Sequence, residues 1–240
     1  MLTERRLGLG EKPRQLDSRM IFTPDRSLLY VSVPKTGCTT IKMVIGASIG
    51  LVDPEALQHQ TKGGIHNRWN ARNTKWSDLI DEKRGDLLTG GSTFRFTSVR
   101  NPFERIVSCY FSKIAGPNDS FYLAKRLRDR GDTSILAFLE FVRDEPPLKR
   151  DIHCRAMTDL CFSGRVQYDD LIRYETFEAD LRRMMVRLDL PTQNIPRPAA
   201  ASKTNAGARM HTLLGPRECD LVREIYQADF KEFGYSLDLP

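Results

Sequence analysis

Lys35, Gly37 and three threonines stand together in the stretch Val31-Ser32-Val33-Pro34-Lys35-Thr36-Gly37-Cys38-Thr39-Thr40-Ile41-Lys42, a set of residue types suited to holding an oxyanion. Leu28 to Val33 is an apolar, β-branched run that predicts a buried parallel strand, and a helical pattern follows from about Thr39 through Ile49. The first amides of a helix have no partner inside it and lie at the positive end of its dipole, so a phosphate is stabilised there. Thr36, Thr39 and Thr40 add hydroxyl donors, and Lys35 adds a mobile positive charge. The loop departs from G-x-x-x-x-G-K-[ST], because Gly37 is followed by Cys38 and not by Lys and Ser/Thr. That weakens the usual magnesium nucleoside triphosphate reading, and taken alone Pro34 to Gly37 equally fits an ordinary strand-to-helix turn.

A second stretch repeats the strand-to-helix plan. Phe94 to Val99 predicts a strand, Arg100-Asn101-Pro102 breaks it, and Phe103 to Phe111 predicts a helix with Pro102 in its first turn. Arg100 then falls at the carboxyl end of a strand, the edge of an open α/β sheet where ligands bind. Ser108 follows about two turns later, while Arg105 reads as an exposed helix charge.

On these residues the chain resembles a known family. Pro34 to Thr40 is similar to the 5′-phosphosulfate loop of sulfotransferases, and Arg100-Asn101-Pro102-Phe103-Glu104-Arg105-Ile106-Val107-Ser108-Cys109-Tyr110 is similar to their 3′-phosphate motif. The likeness is to sulfotransferase family 2, the carbohydrate sulfotransferases of the chondroitin 4-O and HNK-1 type. The stretches His153 to Cys161, Tyr168 to Thr176 and Ile225 to Tyr235 agree with it. The resemblance implies a P-loop-like α/β fold, a central and mainly parallel sheet flanked by helices. It implies transfer of a sulfuryl group from 3′-phosphoadenosine 5′-phosphosulfate (PAPS) to a hydroxyl, of a carbohydrate in particular, with adenosine 3′,5′-bisphosphate (PAP) as product and no metal.

The same resemblance implies roles. Lys35 contacts the phosphosulfate and stabilises charge on the bridging oxygen. Gly37 lets the backbone approach, and Thr36, Cys38, Thr39 and Thr40 offer amides and hydroxyls. Arg100 and Ser108 hold the 3′-phosphate, which suits a guanidinium fork. Four histidines are available for the acceptor proton. His66, in Gly63-Gly64-Ile65-His66 between the two motifs, is the first choice, and an imidazole pKa near ~6.5 suits a base. His153 is the second, although Cys154 and Ala156 replace the tryptophan and proline that the family has beside it.

Other readings stay open at this level. A P-loop nucleotide kinase lacks its GK[ST] triplet here, and a nucleotide-binding protein without turnover would keep both phosphate motifs. Asp169-Asp170 does not read as a metal pair, since adjacent residues on a strand point to opposite faces.

With 240 residues and 40% hydrophobic residues, the chain can build one α/β domain, expected over 28–240 behind an N-terminal extension of 1–27. A net charge of +6 and a pI near 9.1 suit anionic ligands. Basic clusters at Lys62, Arg68, Arg72 and Lys75, at Lys125 to Arg130, and at Arg182, Arg183 and Arg187 read as solvated helix faces. No signature of nucleic-acid binding accompanies them. No run approaches the ~18 apolar residues of a membrane span, and the first residues lack the apolar core of a signal peptide. Five cysteines, not spaced as a disulfide framework or zinc site, read mostly as reduced thiols. The expectation is a soluble cytoplasmic protein, or else a catalytic domain whose membrane anchor lies outside this sequence. Oligomeric state and the sulfated hydroxyl are left open.

Between the motifs, 51–93 reads as a substrate-facing insertion with a helical stretch near Trp76 to Leu88. Thr133 to Val142 predicts a core helix capped by Asp132, Leu171 to Tyr174 a strand, and Phe177 to Leu188 an amphipathic helix. Pro191 to Gly207 reads as a mobile lid that could bring Lys203-Thr204-Asn205 over the ligands, and Pro216 opens a final helix.

Overall fold

The computed structural model describes residues 11, 13–53, 65, 69, 75–116, 121–192 and 205–240. After a short helix α1 (Pro13–Leu16), β1 (Met20–Phe22) turns through 23–27 into β2 (Leu28–Val31). The turn is held by Asp25, whose Oδ1 accepts from the Thr23 hydroxyl and from the Ser27 amide. β1 pairs antiparallel with β2, Met20 opposite Val31. The sheet therefore begins before residue 28, and the extension expected over 1–27 gives up 20–22 as an edge strand. Three residues carry too little alternation to be recognised alone; their pairing defines them.

β3 (Phe94–Val99) lies parallel to β2, with Val31 opposite Thr97, and β4 (Asp170–Arg173) lies parallel to β3, with Val99 opposite Arg173. The order is β1-β2-β3-β4, so two of the three pairings are parallel, as the expected α/β class requires. All of β2 and most of β3 are buried; β2 is a continuous apolar run, as a strand covered on both faces tends to be, whereas β3 buries Arg95, Thr97 and Ser98 with their side chains hydrogen-bonded.

The chain divides into two compact units. One holds Met1–Val99 and Cys161–Ala199. It contains the sheet, α2 (Cys38–Ser48), α3 (Asp81–Thr89) and α8 (Phe177–Arg187). Its core joins Ile21, Tyr30, Ile41, Val44, Phe96, Ile172 and Leu181. Ile65 and Trp69, both in helical conformation, are buried in the same core, and the Trp69 indole donates to the Lys42 carbonyl.

The other unit, Arg100–Leu160 with Ala200–Pro240, is helical. It comprises α4 (Pro102–Lys113), α5 (Tyr122–Asp129), α6 (Ile135–Asp144), α7 (Met157–Leu160), α9 (Ala206–Leu213), α10 (Pro216–Ile225) and α11 (Gln227–Phe233). Phe103, Ile106, Phe138, Leu139, Val222 and Phe230 anchor its core. The cap of α6 is Ser134, which accepts from the Ala137 amide, while Asp132, the expected cap, lies two residues earlier and accepts from the Ser134 amide. The expected final helix is two, divided at Tyr226. Among the described residues no helix is long and apolar enough to cross a membrane.

Candidate functional site

The residues expected to hold phosphate fall in two arrangements, one in each unit. In the first, β2 hands over to a loop in which Lys35 has φ 72° and Gly37 has φ 85°, both left-handed. A lysine there is strained, on the order of 1 kcal/mol, because its Cβ crowds the backbone; such strain concentrates at ligand-binding turns. Gly37 is the N-cap of α2 and brings no side chain to its first amides. A Cβ at Gly37 would run into the Phe177 ring at the start of α8, so both the conformation and the packing demand glycine.

Beneath the loop runs a chain of buried hydroxyls. The Thr36 hydroxyl donates to the Val33 carbonyl at 2.8 Å and lies 2.6 Å from Ser98 Oγ, which lies 2.8 Å from the Tyr30 hydroxyl. Since Thr36 spends its proton on Val33, the chain runs from Tyr30 through Ser98 to Thr36. Burial, with the Cys38 thiol beside it, holds the Tyr30 phenol far above its ordinary pKa, so it stays a donor. Thr36 was expected to offer its hydroxyl to a ligand. Its side chain is fully buried and bonded inward, which leaves its backbone on the ligand side of that role. Thr40 is buried as well, while Lys35, Cys38 and Thr39 are half-buried.

In the second unit, Asn101 caps α4 by accepting from the Phe103 amide, with Pro102 in the first turn. Arg100 is 4% exposed, and its Nε and Nη2 donate to Glu104 Oε2 at 3.3 and 2.9 Å. Ser108 is buried, and among the described residues its Oγ has no hydrogen-bond partner. An orphaned buried hydroxyl is costly unless something supplies a partner, and a phosphate oxygen would do so. Arg105, expected as an exposed charge, is 2% exposed. Its guanidinium donates to the Arg155 carbonyl at 2.8 Å and reaches that of Ile152, so it is an internal brace between α4 and 152–155.

That brace holds a pair that the sequence did not connect. His153 Nδ1 lies 2.7 Å from Asp151 Oδ1, and the His153 amide donates to the same oxygen. Tyr226 donates to the Cys154 carbonyl at 2.7 Å, and the Phe121 ring meets the imidazole edge-on. Burial pushes the Asp151 carboxyl up, but the two hydrogen bonds from His153 and the charges of His153 and Lys113 outweigh it and hold the carboxyl below its ordinary value. The aspartate spacing of two residues was the available signal. His66, with His59 and Lys203-Thr204, lies outside the described residues, as does most of the expected lid; His211 is exposed on α9.

Asp169 and Asp170 diverge as expected for strand neighbours: Asp169 accepts from the Arg95 amide, and Asp170 pairs with Arg183. Lys125, Arg126, Arg130, Arg182, Arg183 and Arg187 are exposed, as solvated faces should be.

A family model described as "Sulfotransferase family" matches residues 18–236. Carbohydrate sulfotransferase 9 of Homo sapiens is 25% identical over 243 residues, covering 91% of this chain and 53% of that protein. Carbohydrate sulfotransferase 8 of Homo sapiens is 27% identical, covering 90% and 55%. Carbohydrate sulfotransferase 14 of Homo sapiens is 25% identical over 248 residues, covering 96% and 63%. The chain spans about half the length of the first of these relatives. No solved structure matches it.

Proposed function

The chain belongs to the sulfotransferase family, and from that premise we propose that it transfers a sulfuryl group from PAPS to a hydroxyl of a carbohydrate. The match runs through both compact units, which supports reading them as one sulfotransferase domain that begins by residue 18. The observation that carries the donor assignment is the left-handed Lys35 and Gly37 pair at the start of α2. The orphaned Ser108 hydroxyl supports it independently.

In this reading the backbone of 36–40 cradles the 5′-phosphosulfate, with Cys38, Thr39 and Thr40 at the helix start. The acceptor oxygen forms a bond to sulfur as the bond from sulfur to the bridging oxygen breaks, and that oxygen leaves with the electron pair as the 5′-phosphate of PAP. The Lys35 ammonium stabilises the charge that develops there. Arg100 and Ser108 take the 3′-phosphate, a grip that binds ground and transition states alike. The hydroxyl proton passes to His66. The Asp151–His153 pair is the second candidate for that proton, because its 2.7 Å hydrogen bond holds the ring through Nδ1 and leaves Nε2 as the acceptor. The carbohydrate acceptor is supported by the names of the relatives. The burial of Cys109, Cys154, Cys161 and Cys219 as thiols supports a reducing, cytoplasmic setting.

Calorimetric titration with PAP against ATP, followed by PAPS turnover on a panel of glycans, tests this. Preference for PAP with sulfation of a glycan is expected. Tighter binding of ATP would favour the kinase, and PAP binding with no turnover on any acceptor would favour a binding protein.

A further inference from the structure

Arg100 does not wait for its ligand with an open fork. The Nε and Nη2 edge, the side on which a guanidinium grips two phosphate oxygens, is taken by Glu104 Oε2. Glu104 stands one turn along α4, 19% exposed at its side chain, and the pair sits where a nearly buried cation needs a counter-charge. We infer that Glu104 is an internal competitor for Arg100: the 3′-phosphate of the nucleotide displaces the carboxylate on binding, and the returning carboxylate promotes release of PAP. This rests on the reading of Arg100 as the 3′-phosphate ligand.

Three features make the exchange physically reasonable. A phosphomonoester carries about −1.5 to −2 charge and three acceptor oxygens, so it outcompetes a single carboxylate for the fork. Glu104 lies in the first turn of α4, where the helix dipole favours an anion even after it lets go of Arg100. Ser108, one turn farther along the same face, presents the buried hydroxyl that an incoming oxyanion would satisfy. The first turn of α9 lies beside the carboxylate, where a Cβ built at Gly207 would stand 3.6 Å from Oε1.

The test compares wild type with Glu104→Gln, which keeps shape and removes charge. PAP should bind ~10-fold more tightly to the variant, the difference between a charged and a neutral competitor for one fork, and should dissociate correspondingly slower in stopped flow. Adenosine 5′-phosphate, which lacks the displacing group, should bind both proteins equally. The rise in melting temperature on adding PAP should be larger for the variant, in which no carboxylate charge competes with the phosphate for Arg100. Adding Arg100→Ala to Glu104→Gln should abolish the gain. If Glu104→Gln does not fold, Glu104→Asp, with its carboxylate drawn back, should show a smaller gain in PAP affinity. Equal or weaker PAP binding by the folded variant, or the same gain for adenosine 5′-phosphate, overturns the inference. Failure of the wild type to prefer PAP over adenosine 5′-phosphate would instead overturn the reading of Arg100 on which it rests.

Discussion

Lys35 combines a charge with a backbone conformation that its side chain disfavours, and two substitutions separate the contributions. Lys35→Ala should lose turnover ~10²- to 10³-fold, the usual effect of removing one transition-state charge partner, with a smaller loss of donor affinity. Lys35→Gly should be equally inactive, yet more stable than Lys35→Ala by about 1 kcal/mol, because glycine tolerates φ 72°. Paired melting curves and donor kinetics measure both, and equal melting temperatures would remove the strain argument. Arg100→Ala should weaken PAP and leave adenosine 5′-phosphate nearly unchanged, as read by calorimetry; equal losses for both would mean that Arg100 supports the fold. For Asp151 the folded carboxyl is depressed, so its contribution to stability is present above the unfolded value of ~3.9 and disappears as pH falls through the folded one. The melting-temperature gap between wild type and Asp151→Asn should therefore be widest near neutral pH and close below about pH 4. A gap that persists unchanged in acid would show that Asp151 acts by shape alone.

At the scale of elements, what matters is how each helix begins. α2 starts from a glycine whose missing Cβ is where the Phe177 ring of α8 sits, so Gly37→Ala meets a ring and a left-handed φ at once. It should cost about 2–4 kcal/mol, summing overpacking with backbone strain, and donor binding should fall with it. A thermal melt at wild-type temperature would mean that α8 yields easily. α4 begins with a side-chain cap, and Asn101→Ala should cost ~1 kcal/mol, seen as a lower midpoint in urea. Strand-to-helix order at both motifs is legible in the residues: Phe94–Val99 emerges with the expected bounds, and α2 and α4 to within a turn. Caps are less legible. Asp132 and Ser134 are both good capping types two residues apart, and the packing of Ile135, Phe138 and Leu139 into the core decides that Ser134 starts α6.

Across the whole chain, one long-range polar contact bears on integrity more than on chemistry. Asp229 on α11 is fully buried and accepts from the amides of Met157 and Thr158 and from the Thr158 hydroxyl, some seventy residues away. Burial pushes its carboxyl upward, against the Arg105 charge and those hydrogen bonds. Asp229→Ala would remove the acceptor shared by three donors at the start of α7 and should cost on the order of 3 kcal/mol, visible as a lower melting temperature with PAP affinity per folded molecule little changed. An unchanged melt would mean that water replaces the carboxylate. The sequence by itself determined the class of fold and the strand-to-helix order at the two expected phosphate motifs, because a short strand-forming run followed by a break and then residues at helical spacing marks a strand handing over to a helix. Only the tertiary structure decided that Met20–Phe22 joins the sheet, that the Thr36 hydroxyl turns inward, that Arg105 braces the 152–155 segment, and that Asp151 engages His153. Each of those depends on the direction of a side chain or on a partner distant in sequence. Local residue type leaves such directions open, and burial against the rest of the fold selects one.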